Sequence, residues 1–419
     1  MPSRTRTPHP VLDTRALNRA TLARQLLLSR VRMSARDAVA HLVGLQAQNV
    51  KPPYFQLHAR LAGFRPAELA GLMESREVVR MVTLRSTIHT HTARDALVLR
   101  PLVQPARDRE VAHFRTGLTG VDLDRLAELA RALVEARPRT MGELREELLQ
   151  EWPDADPQSL AVAARCGLPL VQVTPRGVWG RSGQVRLTTL ERWLGEGARP
   201  QPPGPIRAAA EGGAGTTADA GTGAGAGTTA EAGAGAVRPV DDAVLRYLAA
   251  FGPASVKDMQ TWAGLTRLRE AFERLRPGLA VFQDVNGVEL FDLPDAPRPD
   301  ADTPAPPRFL PEFDNLLLSH ADRSRVVAPV VKGRTWTGNQ AHCTLLVDGF
   351  VAGLWKLDGT TLRIELFDEV PKAERERITA EGEALIAAMG GGTRAADGTD
   401  TPEAPDVSRA SVRFGSIHG

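Results

Sequence analysis

The sequence predicts an α+β protein: tandem winged-helix units, each a helix-turn-helix closed by a β-hairpin wing, followed by a C-terminal antiparallel β-barrel-like domain. Three observations carry this. Amphipathic helical stretches followed by a β-branched hairpin recur at 10–118, 119–195 and 239–297. Residues 337–367 instead alternate apolar and polar side chains around Asp348-Gly349 and Asp358-Gly359, the turn dipeptides of an antiparallel meander. Between the second and third units, 196–238 is rich in Ala, Gly and Thr, with AGTTADAG nearly repeated as AGTTAEAG. That stretch has no large apolar residue between Ile206 and Val237, so it cannot offset the entropy of ordering and reads as a disordered linker.

In the first unit, Thr14–Ser29 carries Leu17, Leu22, Leu26 and Leu27 at helical spacing, and Ser34 stands as N-cap of ARDAVAHLVGL. Pro52-Pro53 ends that run, because proline drives the preceding residue out of helical geometry. Helices are expected over Tyr54–Ala62 and after Pro66, then two strands in VVRMVTLRSTIHTHT turning near Arg85-Ser86, then one helix over Ala93–Phe114. The second unit offers helices at Asp122–Ala136, Thr140–Gln150 and LAVAARCGL, and a strand, Pro-Arg-Gly turn and strand in LVQVTPRGVWGRS. The third offers Asp241–Phe251, Ser255–Ala263 and Leu265–Leu275, with a hairpin tipped by Asn286-Gly287. Residues 305–390 form the β-rich domain, closed by a helix from Lys372 to Met389, and 391–419 read as a flexible tail.

Composition excludes several classes. With 42% apolar and 24% charged residues the chain is globular, and no apolar run is long enough for a membrane helix. The basic start, MPSRTRTPHP, has no apolar run behind it, and the two cysteines, Cys166 and Cys343, stand in no metal-ligand spacing. A cytoplasmic, monomeric protein without metal or cofactor is expected. The net charge of +2 hides an asymmetry: residues 1–118 hold 19 Lys and Arg against 8 Asp and Glu, or +11, leaving −9 for the rest. A basic first third points to a polyanion, although a solvated arginine-rich surface gives the same count.

No phosphate loop, serine nucleophile elbow or zinc-hydrolase motif is present. What stands out is Gly44-Leu45-Gln46-Ala47-Gln48-Asn49, where the second helix stops. Glutamines at i and i+2 diverge on a helix but share a face in an extended segment, so both amides can converge on one small target. On residue grounds alone the plainer reading is a pair of polar side chains at a helix end.

Five segments resemble the AlkZ/YcaQ-like superfamily of winged-helix DNA glycosylases: LARQLLLSR, HLVGLQAQNVKPPYFQLHARL, MVTLRSTIHTHTARD, FLPEFDNLLLSHADR and LLVDGFVAGLWK. The resemblance spans 10–196 and 238–390; the long linker lies outside the family pattern. The family signature is Gln-x-Gln or Gln-x-Asp, and Gln46-Ala47-Gln48 is similar to the first branch, which is linked to resistance against DNA-alkylating natural products. The resemblance implies a monofunctional glycosylase that removes bulky N7-alkylated purines, and interstrand crosslinks, from double-stranded DNA, with Gln46 and Gln48 positioning water.

Other residues carry weaker expectations. Lys51, three positions past Gln48, is a candidate phosphate contact; as a nucleophile it would give a lyase. Thr87, His89 and His91 alternate on a predicted strand and, with Arg85, are candidate DNA contacts of a wing, while Arg176 and Arg181 are candidates on the second hairpin. Tyr54 and Phe55 read as core rather than as a base-stacking shelf. Glu312, Asp314, His320 and Arg323 read as salt-bridging residues that join a winged helix to the β-rich domain. The alternative function is a non-catalytic winged-helix transcription regulator, which would prefer a sequence where a glycosylase prefers a lesion.

Overall fold

The computed structural model describes residues 9–195, 238–389 and 410–417; the linker expected at 196–238 lies outside them except for Arg238. The chain opens with β1 (Val11–Leu12), then α1 (Thr14–Arg24) and α2 (Ala35–His41). Asp13 caps α1 by accepting from the Ala16 amide, and Ser34 caps α2 by accepting from Asp37. The double proline does not end α2, which stops at His41; it begins α3 (Pro52–Arg60), where a first-turn proline forfeits no helical hydrogen bond. Between them lies β2 (Leu45–Gln46), and α4 (Pro66–Glu74), β3 (Val78–Val82) and β4 (Ile88–Thr92) follow. The single helix expected over Ala93–Phe114 is two, α5 (Ala93–Leu102) and α6 (Gln104–Ala112), separated at Val103 between Pro101 and Pro105.

The second unit has α7 (Leu123–Ala136), α8 (Met141–Glu151) and α9 (Pro157–Gly167), then β5 (Leu170–Gln172), β6 (Leu187–Thr189) and α10 (Leu190–Leu194). The return strand is not in GVWGRS: residues 173–186 loop out, and Trp179 packs its ring 4.8 Å from that of Tyr54. Nor are the first two hairpins separate wings. Arg80 pairs with Gln172 and Met81 with Val171, fusing them into one five-stranded sheet of order β2-β4-β3-β5-β6.

The third unit comprises α11 (Pro239–Phe251), α12 (Val256–Ala263), α13 (Arg269–Leu275), β7 (Ala280–Asp284) and β8 (Glu289–Asp292). It docks firmly on the rest. β1 runs parallel to β7, Arg24 of α1 pairs with Asp292 at 2.5 Å with both side chains buried, and Tyr247 donates to the Ser319 carbonyl at 2.7 Å.

The remaining strands are β9 (Arg308–Leu310), β10 (Trp336–Thr337), β11 (Gln340–Ala341), β12 (Thr344–Val347), β13 (Phe350–Asp358) and β14 (Thr361–Leu366). α14 (Lys372–Met389) follows, and β15 (Ser411–Phe414) comes last. The expected barrel is instead an open sheet of order β15-β14-β13-β12-β9. Its edge strand β15 lies within the expected flexible tail and pairs parallel to β14. Sheet, α14 and the first unit share one core: Phe55 meets Trp355 at 5.6 Å, and Phe309 meets the same ring edge-on at 5.8 Å. Tyr54 and Phe55 are therefore core, as expected. The junction is bound by Arg60 and Asp314, both 0% exposed, paired bidentately at 2.7 and 2.9 Å.

Candidate functional site

The Gln46-Ala47-Gln48 segment owes its shape to a sharp reversal after α2. Val43 (φ 55) and Gly44 (φ 94) take the left-handed region and swing the chain from helix into β2. Glycine is required here twice over, because a Cβ at Gly44 would fall 2.2 Å from Nδ1 of His91. Gln46 then pairs with His89 in an antiparallel register, and the Ala47 amide donates to the Ile88 carbonyl at 2.7 Å, so the pairing reaches Ala47, and Gln48 stands in the bend that follows.

Buried side chains hold this backbone from behind. Arg80, 2% exposed, donates to the Ala47 carbonyl at 2.9 Å and to the Asn49 carbonyl at 3.5 Å. Burial, and then the charge of Arg176, lower its pKa to about 10, so it remains a cation at neutral pH. Gln56 of α3 donates to the Gln46 carbonyl at 3.0 Å. Sequence reasoning missed both residues. A charge inside the otherwise apolar strand VVRMV was the available signal for Arg80; Gln56 offered none.

The two glutamines differ in environment. Gln46 is 4% exposed, and its Oε1 accepts from Arg85 Nη2 at 2.7 Å. Gln48 is exposed, and its Oε1 accepts weakly from the Ile88 amide at 3.5 Å. Asn49 reaches across to the β-rich domain, donating to Glu312 Oε1 at 2.9 Å. Beside it, the Phe313 ring meets Trp336 edge-on at 5.6 Å, and Arg323 lies over Trp336.

Several expected DNA contacts face inward. His89 and His91 do share a side, with rings stacked at 5.5 Å, but that side is the interior: they are 2% and 0% exposed. Burial holds His89 well below the ordinary histidine pKa and His91 at about 4, so both are neutral imidazoles. His89 donates through Nδ1 to the Thr87 carbonyl and accepts from Arg85 at Nε2. Arg85 is likewise committed, to Gln46 and to the Trp262 carbonyl of α12; burial, then repulsion from Arg323, lower its pKa to about 10. Neither histidine is available to DNA, and the Arg85 guanidinium is spent on the protein. Thr87 donates to the Leu84 carbonyl at 3.1 Å. Lys51 is exposed at the N-terminus of α3, Arg181 is exposed and paired with Glu74, and Arg176 is half-buried with Nη1 3.4 Å from the Gly183 carbonyl. In the expected salt-bridge group, Asp314 pairs with Arg60, whereas His320 bonds the Phe251 carbonyl and Arg323 stacks on Trp336. Among the described residues no helix is long and apolar enough to cross a membrane.

The family model described as DNA glycosylase AlkZ-like matches residues 39–388. Among solved structures, Streptomyces sahachiroi DNA glycosylase AlkZ is similar at a TM-score of 0.68 and 18% identity, over 97% of this chain and 100% of that one. At that identity the likeness carries the fold alone. No curated protein sequence matches.

Proposed function

The chain belongs to the AlkZ-like family of DNA glycosylases, and from that membership we propose that it hydrolyses the N-glycosidic bond of bulky N7-alkylated purines in double-stranded DNA, crosslinked purines included. Acting as a monomer, it would serve DNA repair or self-resistance to a genotoxic natural product. The observation that carries this reading is the strapped segment itself. Arg80 holds the Ala47 carbonyl from inside the fold while Gln48 stands exposed beside a buried, oriented Gln46.

The chemistry suits such a lesion. An N7-alkylated purine is cationic and leaves neutral, so its departure needs no strong acid. The protein must position a water and tolerate an oxocarbenium ion. Gln46 Oε1 spends one lone pair on Arg85 and keeps the other for a proton of that water. Gln48, with its weak 3.5 Å contact, is free to turn its amide to the same water. Lys51 meets a DNA phosphate, with Thr87, Arg176 and Arg181 as further backbone contacts; Arg85 acts as a positioning residue for Gln46.

Release of free base from duplex DNA bearing a bulky N7-alkylguanine tests the reading, with heat alone as the control. Release well above heat, leaving alkali-labile but unnicked strands, supports a monofunctional glycosylase. Strand nicks before alkali would make Lys51 a nucleophile. No release, with tight binding to one undamaged sequence, would favour a regulator.

A further inference from the structure

No acidic residue flanks Gln46 and Gln48 in the sequence, yet the fold brings one to them. Glu312 Oε1 accepts from Asn49 Nδ2 at 2.9 Å, and its Oε2 accepts from the Cys343 thiol at 3.2 Å. Burial, and then the Glu312 charge, push that thiol well above its ordinary pKa, so it stays protonated and keeps donating. The half-buried carboxylate is thus held from both sides, next in line to the residue that follows Gln48.

Its charge answers a problem at the site. Arg85 sits on Gln46, and Arg323 is close enough to depress the Arg85 pKa. A cationic lesion passing through an oxocarbenium ion meets this positive field, which opposes the reaction unless an anion offsets it. The same anion also opposes DNA phosphates, so a role in binding does not account for it.

We propose that Glu312 is a positioning residue of the hydrolytic site, anchoring through Asn49 the backbone that carries Gln48 and setting negative charge against the oxocarbenium ion. The inference rests on the function proposed above. Glu312 forms no bond to the sugar: a water oxygen bonds C1′, the C1′–N9 pair leaves with the base and neutralises its cation, and the water's proton passes to solvent.

The test compares full-length variants on duplex DNA carrying a nitrogen-mustard monoadduct at guanine N7. Glu312→Gln keeps an acceptor for Asn49 but loses the charge; Asn49→Ala loses the strap and keeps the charge. Glu312→Gln is expected to slow single-turnover base release at saturating enzyme by about ten-fold or more, a typical loss for one transition-state contact. Its DNA affinity should be unchanged or tighter, and Glu312→Asp should recover part of the rate. Wild-type release by Glu312→Gln overturns the proposal. Should that variant melt far below the wild type, exposed Asn49→Ala decides: slowed release supports the strap, and wild-type release overturns it. If the wild-type protein itself fails to release the adduct, the proposed function falls first.

Discussion

Arg85 joins Gln46 to the third helical unit: Nη2 donates to Gln46 Oε1 at 2.7 Å, and Nη1 donates to the Trp262 carbonyl. Its backbone is left-handed (φ 52), and Gly264 lies so close that an added Cβ would sit 3.0 Å from Arg85 Cα. The orientation of Gln46 thus depends on how the third unit is docked.

Arg85→Ala is expected to slow base release on the order of ten-fold and to lower stability by about 1–3 kcal/mol, the cost of leaving buried acceptors unpaired. Arg85→Lys should not restore the rate, because a point-charge ammonium cannot span both acceptors as a planar guanidinium does. Single-turnover kinetics alongside urea unfolding separate the two effects.

Gly44→Ala is expected to cost about 2–4 kcal/mol, from left-handed strain plus collision with the His91 ring. His91→Ala in the same chain should relieve the collision and leave the strain. A double-mutant cycle by chemical denaturation measures that coupling, and additive effects would refute the contact.

Asp314→Ala leaves the Arg60 guanidinium buried and unpaired, and should cost about 3–5 kcal/mol. Replacing both partners by Met and Leu should cost far less. Equal losses in the single and double variants would show that the ion pair is not what holds the junction.

Acid should unfold the protein through its buried imidazoles. His91 is held at about 4 and His320 at about 3, each chiefly by burial, while the unfolded chain takes up the proton near the ordinary histidine value. Their neutral forms therefore contribute stability that is complete above about pH 6.5 and is lost as pH falls towards those lower values, by up to about 1.4 kcal/mol per pH unit for each. Melting temperature recorded from pH 7.5 to 5 should hold down to about pH 6.5 and fall below it, and a flat profile throughout would contradict the assignment.

Local rules made much of this fold legible. Ser34 caps the helix it precedes, and alternation marked β3, β4 and the β12–β14 meander. The misses share a cause: partners distant in sequence decided them. Alternation put His89 and His91 on one side but could not say which side was covered, since Thr83, Arg85 and the chain reversal at Gly44 close on them. Two short hairpins looked like independent wings because a β3–β5 pairing leaves no local trace. The glutamine pair was visible as a motif, whereas Arg80, Gln56 and Glu312 reach it only through the fold.

The most direct test of the central claim measures single-turnover base release from a bulky N7-alkylguanine duplex by the wild type, Gln46→Ala and Gln48→Ala, each at saturating enzyme with DNA affinity recorded in parallel. Each substitution should lower release by about ten-fold to a hundred-fold while affinity stays within about two-fold, the signature of contacts made in the transition state. Full release by both variants, or loss of binding with the chemical step intact, would contradict the assignment of Gln46 and Gln48 to water activation.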